Sequence, residues 1–165
     1  MTIQAAFAAG VTGYRPAVDE FSADGARLAE RRGELDAWVD AFLRSPGSNN
    51  AALAEELSNR KASWCGPLRL RFDDLHRLAG PPDQPTVTRL SDDDLKTVEE
   101  MSDSIDDGWE APPLIVSYSD SRLLVEDGNH RIEGLRRAGR SDHWAVVGFD
   151  DDDQRQAFLA ERVTG

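Results

Sequence analysis

The sequence predicts an α+β fold in which helices pack on a small mixed sheet and an N-terminal helical hairpin precedes it. Apolar residues recur at helical spacing across residues 22–64. From Gly66 onward, short apolar runs typical of strands alternate with segments that begin at capping residues and end at glycine. The chain has 165 residues, of which 39% are hydrophobic, so it is long enough to bury a core.

Residues 1–65 are predicted to form an N-terminal arm and a helical extension. Residues 1–21 mix Ala, Gly, Thr and Pro without a sustained period, which favours a loosely docked arm. A helix then begins at Ser22 or Asp24 and ends at residues 45–47. One face of this helix carries an apolar stripe, formed by Leu28, Leu35, Trp38, Val39, Phe42 and Leu43.

A second helix begins at Asn49 or Asn50 and completes the hairpin, with Leu53 and Leu57 directed inward. The apolar stripe has to be covered, and it packs most simply on the rest of the chain. Two amphipathic helices from two chains also form a bundle readily. The sequence therefore leaves open core packing and a homodimer through the N-terminal helices.

Residues 66–165 are predicted to form the mixed α and β domain. Strands are expected at residues 68–72, 113–118, 123–126 and 144–149. Helices are expected at residues 73–80, 91–108, 129–138 and 150–163, and a loop at residues 81–85. This order of elements is typical of a small sheet with helices packed on it.

The most informative segment is an apolar strand that runs directly into a helix at Asp127 and Gly128. Glycine permits a tight turn and the close approach of a ligand. The first amides of a helix have no partner within it, and the helix dipole adds positive charge there. With His130 and Arg131 in the same turn, the segment predicts an anion site, most naturally for phosphate. A neighbouring carboxylate, Glu126 or Asp127, would hold Mg²⁺ or accept a proton.

A purely structural interpretation of this turn is also open. In that interpretation Asp127 caps the helix, His130 is an exposed polar residue, and Arg131 pairs with Glu126 or Asp127. Short motifs of this kind occur in proteins that do not use them for binding.

The charge distribution disfavours nucleic acids as partners. Residues 1–90 carry 12 acidic and 11 basic residues, whereas residues 91–165 carry 19 acidic and 8 basic residues, a net charge of −11. Affinity for nucleic acids depends largely on neutralised phosphates, so stable binding of DNA or RNA is not expected. A local basic pocket for one small anion is compatible with this balance.

The apolar runs of the sequence are much shorter than the roughly 20 residues that cross a bilayer. The first residues also lack the basic region of a signal peptide. We therefore expect a cytoplasmic protein that does not contact a membrane. We predict no structural zinc site, because His76 and His143 lack metal-ligand spacing, and no calcium site at residues 150–153, which lack the pattern of an EF-hand. Trp109 either stacks on a nucleotide base or covers the core.

Residues 67–150 resemble the N-terminal domain of the ParB/sulfiredoxin superfamily. The resemblance rests on several features in a fixed order: the strand at 68–72 with Asp74-Leu75, the helix end at 104–108, the apolar run at 113–116, the Asp-Gly-Asn-His-Arg turn at 127–131, the closing Ala138-Gly139 and the strand at 145–147. It covers about half of the chain. It implies a ParB/sulfiredoxin-like sheet with packed helices.

In that superfamily the turn that matches residues 128–131 holds nucleotide phosphates. Partition proteins bind CTP there, sulfiredoxins bind ATP, and related free-serine kinases transfer phosphate with a similar turn. The resemblance therefore implies that Gly128, Asn129, His130 and Arg131 contact the phosphates of ATP or CTP, with Mg²⁺. Asp127 matches the acidic residue of the kinase-like turn.

Two departures from the superfamily narrow this expectation. Asn129 stands where sulfiredoxins carry a reactive cysteine, and Cys65 precedes the first expected strand, so repair of sulfinic acids is not expected. Partition proteins continue into a helix-turn-helix domain, whereas the few residues after Phe149 are acidic. Site-specific DNA partitioning is therefore not expected either.

Two hypotheses follow from the sequence. In the first, the chain is a phosphotransferase in which Arg131 neutralises a nucleotide phosphate and His130 hydrogen-bonds it. Asp127 or Glu126 then orients Mg²⁺ or acts as the base toward a small hydroxyl acceptor. In the second, the chain is a non-catalytic regulatory or protein-interaction module with a relic phosphate site, and the helical hairpin is its partner surface.

Overall fold

The computed structural model describes residues 20–77 and 92–164, which contain six α-helices and five strands. The helices are α1 (Ala23–Arg31), α2 (Leu35–Arg44), α3 (Ala51–Arg60), α4 (Asp92–Asp106), α5 (Asn129–Arg137) and α6 (Asp152–Thr164). The strands are β1 (Ser63–Arg71), β2 (Leu75–Arg77), β3 (Leu114–Ser119), β4 (Arg122–Asp127) and β5 (Asp142–Phe149). The predicted α+β class, with helices packed on a small mixed sheet, is confirmed.

The five strands form one sheet in the order β1-β5-β3-β4-β2. The pairs β1–β5 and β3–β4 are antiparallel, and the pairs β3–β5 and β2–β4 are parallel, so the sheet is mixed. Asp120 and Ser121, which join β3 to β4, have φ values of 51° and 65°. Two consecutive residues with positive φ are typical of the tight hairpin turns that match the twist of a sheet.

The sheet separates two apolar cores, and side chains of the central strands alternate between them. In β5, Ala145 and Val147 belong to the core under α4, α5 and α6, whereas Val146 belongs to the core under α1, α2 and α3. Ile115 of β3 also faces the N-terminal helices. Both faces of the central strands are therefore covered by helices of the same chain.

The N-terminal helices use their apolar stripe within the chain. The buried residues of α2 are Leu35, Trp38, Val39, Phe42 and Leu43. The rings of Trp38 and Phe42 stack with centroids 5.5 Å apart, and the same core includes Trp64 of β1. The stripe is therefore core packing, and the homodimer through these helices stays a prediction.

The helical extension has three helices, where a hairpin of two was predicted. The first predicted helix is interrupted at Gly33, whose φ of 71° lies outside the helical region, so α1 ends and α2 begins there. Two predicted caps are confirmed. The Ser22 hydroxyl accepts from the amide of Gly25 at 3.1 Å, and the Asn50 side chain accepts from the amide of Leu53 at 3.3 Å.

The helix predicted from Asp73 is wrong over the part that the structure describes. A single 3-10 turn, Phe72–Asp74, leads directly into β2, where Leu75 is fully buried and pairs with Leu123 of β4. Strand β1 begins at Ser63, earlier than predicted, and includes Cys65.

Several predictions lie outside the described residues: the arm over residues 1–19, the end of the predicted helix at residues 78–80, the loop at 81–85 and the cap at Ser91. Within the described ranges, the helices are too short or too polar to cross a membrane.

Candidate functional site

The turn between β4 and α5 brings the six predicted site residues together. Gly128, with φ 127° and ψ 13°, is the N-cap residue of α5, and its carbonyl accepts the first helical hydrogen bond from Ile132 at 2.9 Å. Ser22 and Asn50 use their side chains to cap α1 and α3, but a glycine has none. The first-turn amides of α5 are therefore left without a capping side chain from the N-cap position.

Asn129 and His130 occupy the outer side of this first turn. Both side chains are exposed, whereas Gly128 and Arg131 are buried. A ligand at the start of α5 would therefore meet the first-turn amides together with the Asn129 amide group and the His130 imidazole. These two residues of the predicted phosphate site are open to solvent.

Arg131 lies beneath the turn and is only 9% exposed. Its Nη2 donates to the carbonyl oxygens of Pro113 at 3.1 Å and Asp127 at 3.3 Å, and it lies 3.4 Å from Oδ2 of Asp127. The guanidinium also lies over the ring of Phe42, 5.2 Å from its centroid. One side chain thus ties together the end of β4, the start of β3 and helix α2.

The Arg131 guanidinium is not fully satisfied by these contacts. Within residues 20–77 and 92–164, its Nε is buried and has no hydrogen-bond partner. Burial lowers the pKa of Arg131, while the charge and hydrogen bond of Asp127 act in the opposite direction. Arginine keeps its charge in proteins, so a positive charge is held directly under the start of α5.

Gly128 is needed for packing beneath the turn. A β-carbon at this position would lie 2.7 Å from Cδ2 of Leu114 and 3.0 Å from Nη2 of Arg131. From the sequence, Gly128 was interpreted as a residue that lets a ligand approach closely. The structure gives a second reason for a glycine here, which is the packing of side chains beneath the turn. Both the positive φ and the close contacts disfavour a larger residue.

The two predicted catalytic carboxylates differ in accessibility. The Glu126 side chain is 1% exposed and accepts hydrogen bonds from Ser117 and, at 2.6 Å, from Nη2 of Arg60. The Asp127 side chain is 20% exposed, and its Oδ2 accepts from the Ser48 hydroxyl at 3.3 Å. Asp127 is therefore the carboxylate that a ligand at this turn could reach.

Residues from α2, α3 and the turn between them also contact the site, and the sequence motif gave no sign of them. Ser48, Arg60 and Phe42 all contact members of the turn. Ser48 is 79 positions from Asp127, and Arg60 is 66 positions from Glu126. Only the fold brings such distant residues together, so a local motif cannot report them.

Two further candidates, His143 and Trp109, belong to other segments of the chain. Nε2 of buried His143 lies 3.1 Å from the carbonyl oxygen of Ala111 and 3.2 Å from that of Pro112. Trp109 is 43% exposed and lies near Leu135 and Arg140, at the other end of α5.

The last candidates for chemistry are the thiol of Cys65 and the side chains that could bind a metal ion. Cys65 is buried in β1, and burial raises its pKa to about 11, so its thiol is not activated as a nucleophile. Among the described side chains, no group of three or more His, Cys, Asp or Glu is arranged to hold a metal ion. A magnesium ion bound together with nucleotide phosphates needs only one or two protein carboxylates, and Asp127 is placed to supply one.

The chain matches no known protein-family model and no curated protein. It is similar to a solved structure, the crystal structure of the C-terminally truncated chromosome-partitioning protein ParB from Caulobacter crescentus complexed with CTP-gamma-S. The identity is 23% and the TM-score is 0.35. The similarity covers 61% of this chain and 54% of that chain, so it spans about half of the length of the ParB chain.

Proposed function

We propose that this chain binds the phosphate groups of a nucleotide, ATP or CTP, at the start of α5. The observation that carries the proposal is the first turn of α5, which has a glycine N-cap and a buried guanidinium directly beneath it. Helix N-termini attract anions through their amides and their dipole. The nearby positive charge of Arg131 strengthens this attraction.

Each residue of the turn has a distinct role in the proposed complex. The amides at the start of α5 bind phosphate oxygens, and the exposed side chains of Asn129 and His130 donate further hydrogen bonds. Arg131 acts from below as a positioning residue, because its Nη2 is bonded to Pro113 and Asp127. Its charge acts on the ligand through the turn, without direct contact.

In the proposed complex, a magnesium ion would bind beside Asp127. Asp127 lies at the edge of the turn with part of its carboxylate exposed. Mg²⁺ keeps several waters and is commonly held by one or two carboxylates plus substrate phosphates. Asp127 would therefore orient a nucleotide-bound Mg²⁺, while Glu126 stays within its ion pair with Arg60.

The first experiment measures thermal unfolding of the full chain with Mg²⁺ and each of ATP, CTP, GTP, UTP and inorganic triphosphate. A ligand that binds only the folded state stabilises it by about 2.7 kcal/mol at one hundred times its dissociation constant. A shift with one nucleotide identifies the preferred base. A shift with triphosphate alone identifies a phosphate site without base recognition.

The matched variants are Asn129→Asp at the site and Gln156→Glu on the exposed face of α6. Each exchanges an amide for a carboxylate of the same shape and adds one negative charge. At the start of α5 the new negative charge interacts favourably with the helix dipole, but it repels a phosphate group. We expect Asn129→Asp to remove the nucleotide-induced shift and Gln156→Glu to keep it. If no nucleotide shifts the midpoint, or if Asn129→Asp binds as the wild type does, the phosphate site is wrong.

Phosphoryl transfer to a small hydroxyl acceptor is the second candidate function, and the partial exposure of Asp127 favours it. Its test is nucleoside diphosphate release in the presence of small alcohols and hydroxy amino acids. Turnover that requires an acceptor and is lost in Asp127→Asn would support transfer. Binding without acceptor-dependent turnover would support a non-catalytic regulatory module.

A further inference from the structure

The turn between α2 and α3 brings a hydroxyl group to the start of α5. Ser48 lies in this turn, and its hydroxyl donates to Oδ2 of Asp127 at 3.3 Å. Asp127 directly precedes Gly128, the N-cap residue of the helix where phosphate groups are proposed to bind. A residue of the proposed phosphate site therefore holds the Ser48 hydroxyl beside that site.

Backbone hydrogen bonds define the position of Ser48. Its amide donates to the carbonyl oxygen of Ser45 at 3.2 Å, and the amide of Asn50 donates to that of Leu43 at 2.7 Å. Asn49 has a φ of 50°, a left-handed conformation that asparagine adopts more readily than most residues. The turn therefore presents the hydroxyl from an ordered backbone.

Ser48 is more accessible than two other serines near the turn. It is half-buried, and the Asp127 side chain that it contacts is 20% exposed. The Ser45 hydroxyl donates to a backbone carbonyl of α2 at 2.6 Å, and Ser117 is 1% exposed and donates to the buried carboxylate of Glu126. Of these three hydroxyls, Ser48 is the one that a nucleotide at α5 could reach.

Ser48, Asp127 and Arg131 are arranged like an activated nucleophile with its base. Such a hydroxyl has a base within hydrogen-bond reach, and a third group orients the base. Oδ2 of Asp127 lies 3.4 Å from Nη2 of Arg131, which is itself held by the carbonyl oxygen of Pro113. The order of the three residues is therefore acceptor, base and positioning residue.

We propose that the chain transfers the γ-phosphoryl group of its bound nucleotide to its own Ser48, an inference that rests on the proposed function. The Ser48 oxygen bonds to the γ-phosphorus. The bond from that phosphorus to the oxygen that bridges the β- and γ-phosphates breaks, and the nucleoside diphosphate leaves with the electron pair. The hydroxyl proton passes to Asp127.

This step needs little beyond what the site supplies. Phosphoryl transfer depends mainly on positioning and on neutralisation of charge. An acceptor held within the same chain reacts at a high effective concentration, so it does not have to be captured from solution. Ser48 is therefore a candidate site of self-phosphorylation.

The test measures phosphate on the full chain after treatment with a phosphatase and removal of that enzyme. The chain is then incubated with Mg²⁺ and either ATP or CTP, and phosphopeptides are identified by mass spectrometry. We expect one phosphate group, on Ser48, with at least one of the two nucleotides. Analogues in which a methylene group replaces the β–γ bridging oxygen should give none.

Variants locate the acceptor and the base. Ser48→Ala should carry no phosphate but should keep the nucleotide-induced shift in thermal unfolding, and Ser48→Thr should still be phosphorylated at residue 48. The matched control is Ser58→Ala, at an exposed position of α3, which should be phosphorylated like the wild type. Asp127→Asn should slow the transfer by at least about a hundredfold, the usual contribution of a general base.

A mixture of two variants tests transfer within one chain. Asp127→Asn keeps the hydroxyl without the base, and Ser48→Ala keeps the base without the hydroxyl. If the acceptor and the base act within one chain, the mixture should be phosphorylated no faster than Asp127→Asn alone. Faster phosphorylation of the mixture would show transfer between chains and would overturn the proposal.

The inference also fails if a nucleotide raises the unfolding midpoint but no phosphate appears on residue 48, whereas nucleotide binding at α5 would then stand. Equal phosphorylation of Ser48→Ala and the wild type would overturn it as well. If neither the shift nor the phosphate is observed, the proposed function fails together with this inference.

Discussion

The guanidinium of Arg131 fills the space beneath Gly128, with Nη2 only 3.0 Å from where a β-carbon of residue 128 would be. The two residues therefore depend on each other. The glycine leaves room for the guanidinium, and the guanidinium holds the glycine's neighbours, Asp127 and Pro113, in place. This buried contact therefore helps to fix the backbone of the turn.

Gly128→Ala should lower the free energy of unfolding by about 3 kcal/mol, since it adds a steric clash to left-handed backbone strain. The new β-carbon would lie 2.7 Å from Cδ2 of Leu114. The control is Gly139→Ala, where φ is 86° but nothing lies within 4 Å, and where the loss should be about 1–2 kcal/mol. Urea denaturation measures both, and equal losses would show that the space beneath Gly128 is not filled as described.

Arg131→Met should destabilise the fold by about 3 kcal/mol, because it removes a buried charge that pairs with Asp127 and bonds two carbonyls. Arg137→Met, at an exposed position of the same helix, should change stability by no more than about 0.5 kcal/mol. The measurement is again urea denaturation. Similar stabilities of the two variants would mean that Arg131 does not hold the turn together.

Two glutamates that share one partner should differ in their contribution to stability. Arg60 pairs with Glu126, whose side chain is 1% exposed, and with Glu56, whose side chain is 55% exposed. Glu126→Gln should cost about 1–3 kcal/mol, because it removes the charge of a buried side chain that accepts hydrogen bonds from Arg60 and Ser117. Glu56→Gln should cost less than about 1 kcal/mol, as expected of a solvent-exposed pair.

A comparison of these variants by thermal and urea unfolding also tests the assignment of Glu126 to structure. If Glu126→Gln were as stable as the wild type, its ion pair with Arg60 would not stabilise the fold. Its position would then be better explained by a chemical role at the turn.

His143 should make stability depend on pH. Burial lowers its pKa below the ordinary value of 6.5, although hydrogen bonds to Pro112 and Ala111 oppose this effect. The folded state then binds the proton less readily than the unfolded state, so stability falls as the pH falls below about 6.5. His143→Gln should show a smaller loss between pH 7.5 and 5.5 in urea unfolding. An unchanged pH slope in this variant would contradict the assignment.

Local signals in the sequence predicted much of the fold. The caps at Ser22 and Asn50 and the glycine that ends α5, Gly139 with φ 86°, were all predicted from residue type and position. Each depends on groups a few residues away, which is why the sequence alone identifies them.

The incorrect helix at Asp73 involves contacts between distant residues, whereas the missed break between α1 and α2 comes from the local backbone at Gly33. Asp73 and Asp74 are typical of a helix start, but Leu75 is drawn into the sheet by pairing with Leu123 of β4. Contacts between distant residues also explain why the sequence predicted only part of the candidate site. The turn at Asp127 and Gly128 was predicted from its motif, whereas the inward direction of Arg131 depends on Pro113 and Phe42, far along the chain.

The covering of the sheet by α1, α2 and α3 has a practical consequence for anyone who shortens this chain. A fragment that begins at residue 66 would keep strands β2 to β5 and helices α4 to α6 but would turn Ile115 and Val146, both fully buried, toward water. Exposed apolar patches promote self-association. Such a fragment should precipitate or form aggregates, even though it contains every residue of the turn at 126–131.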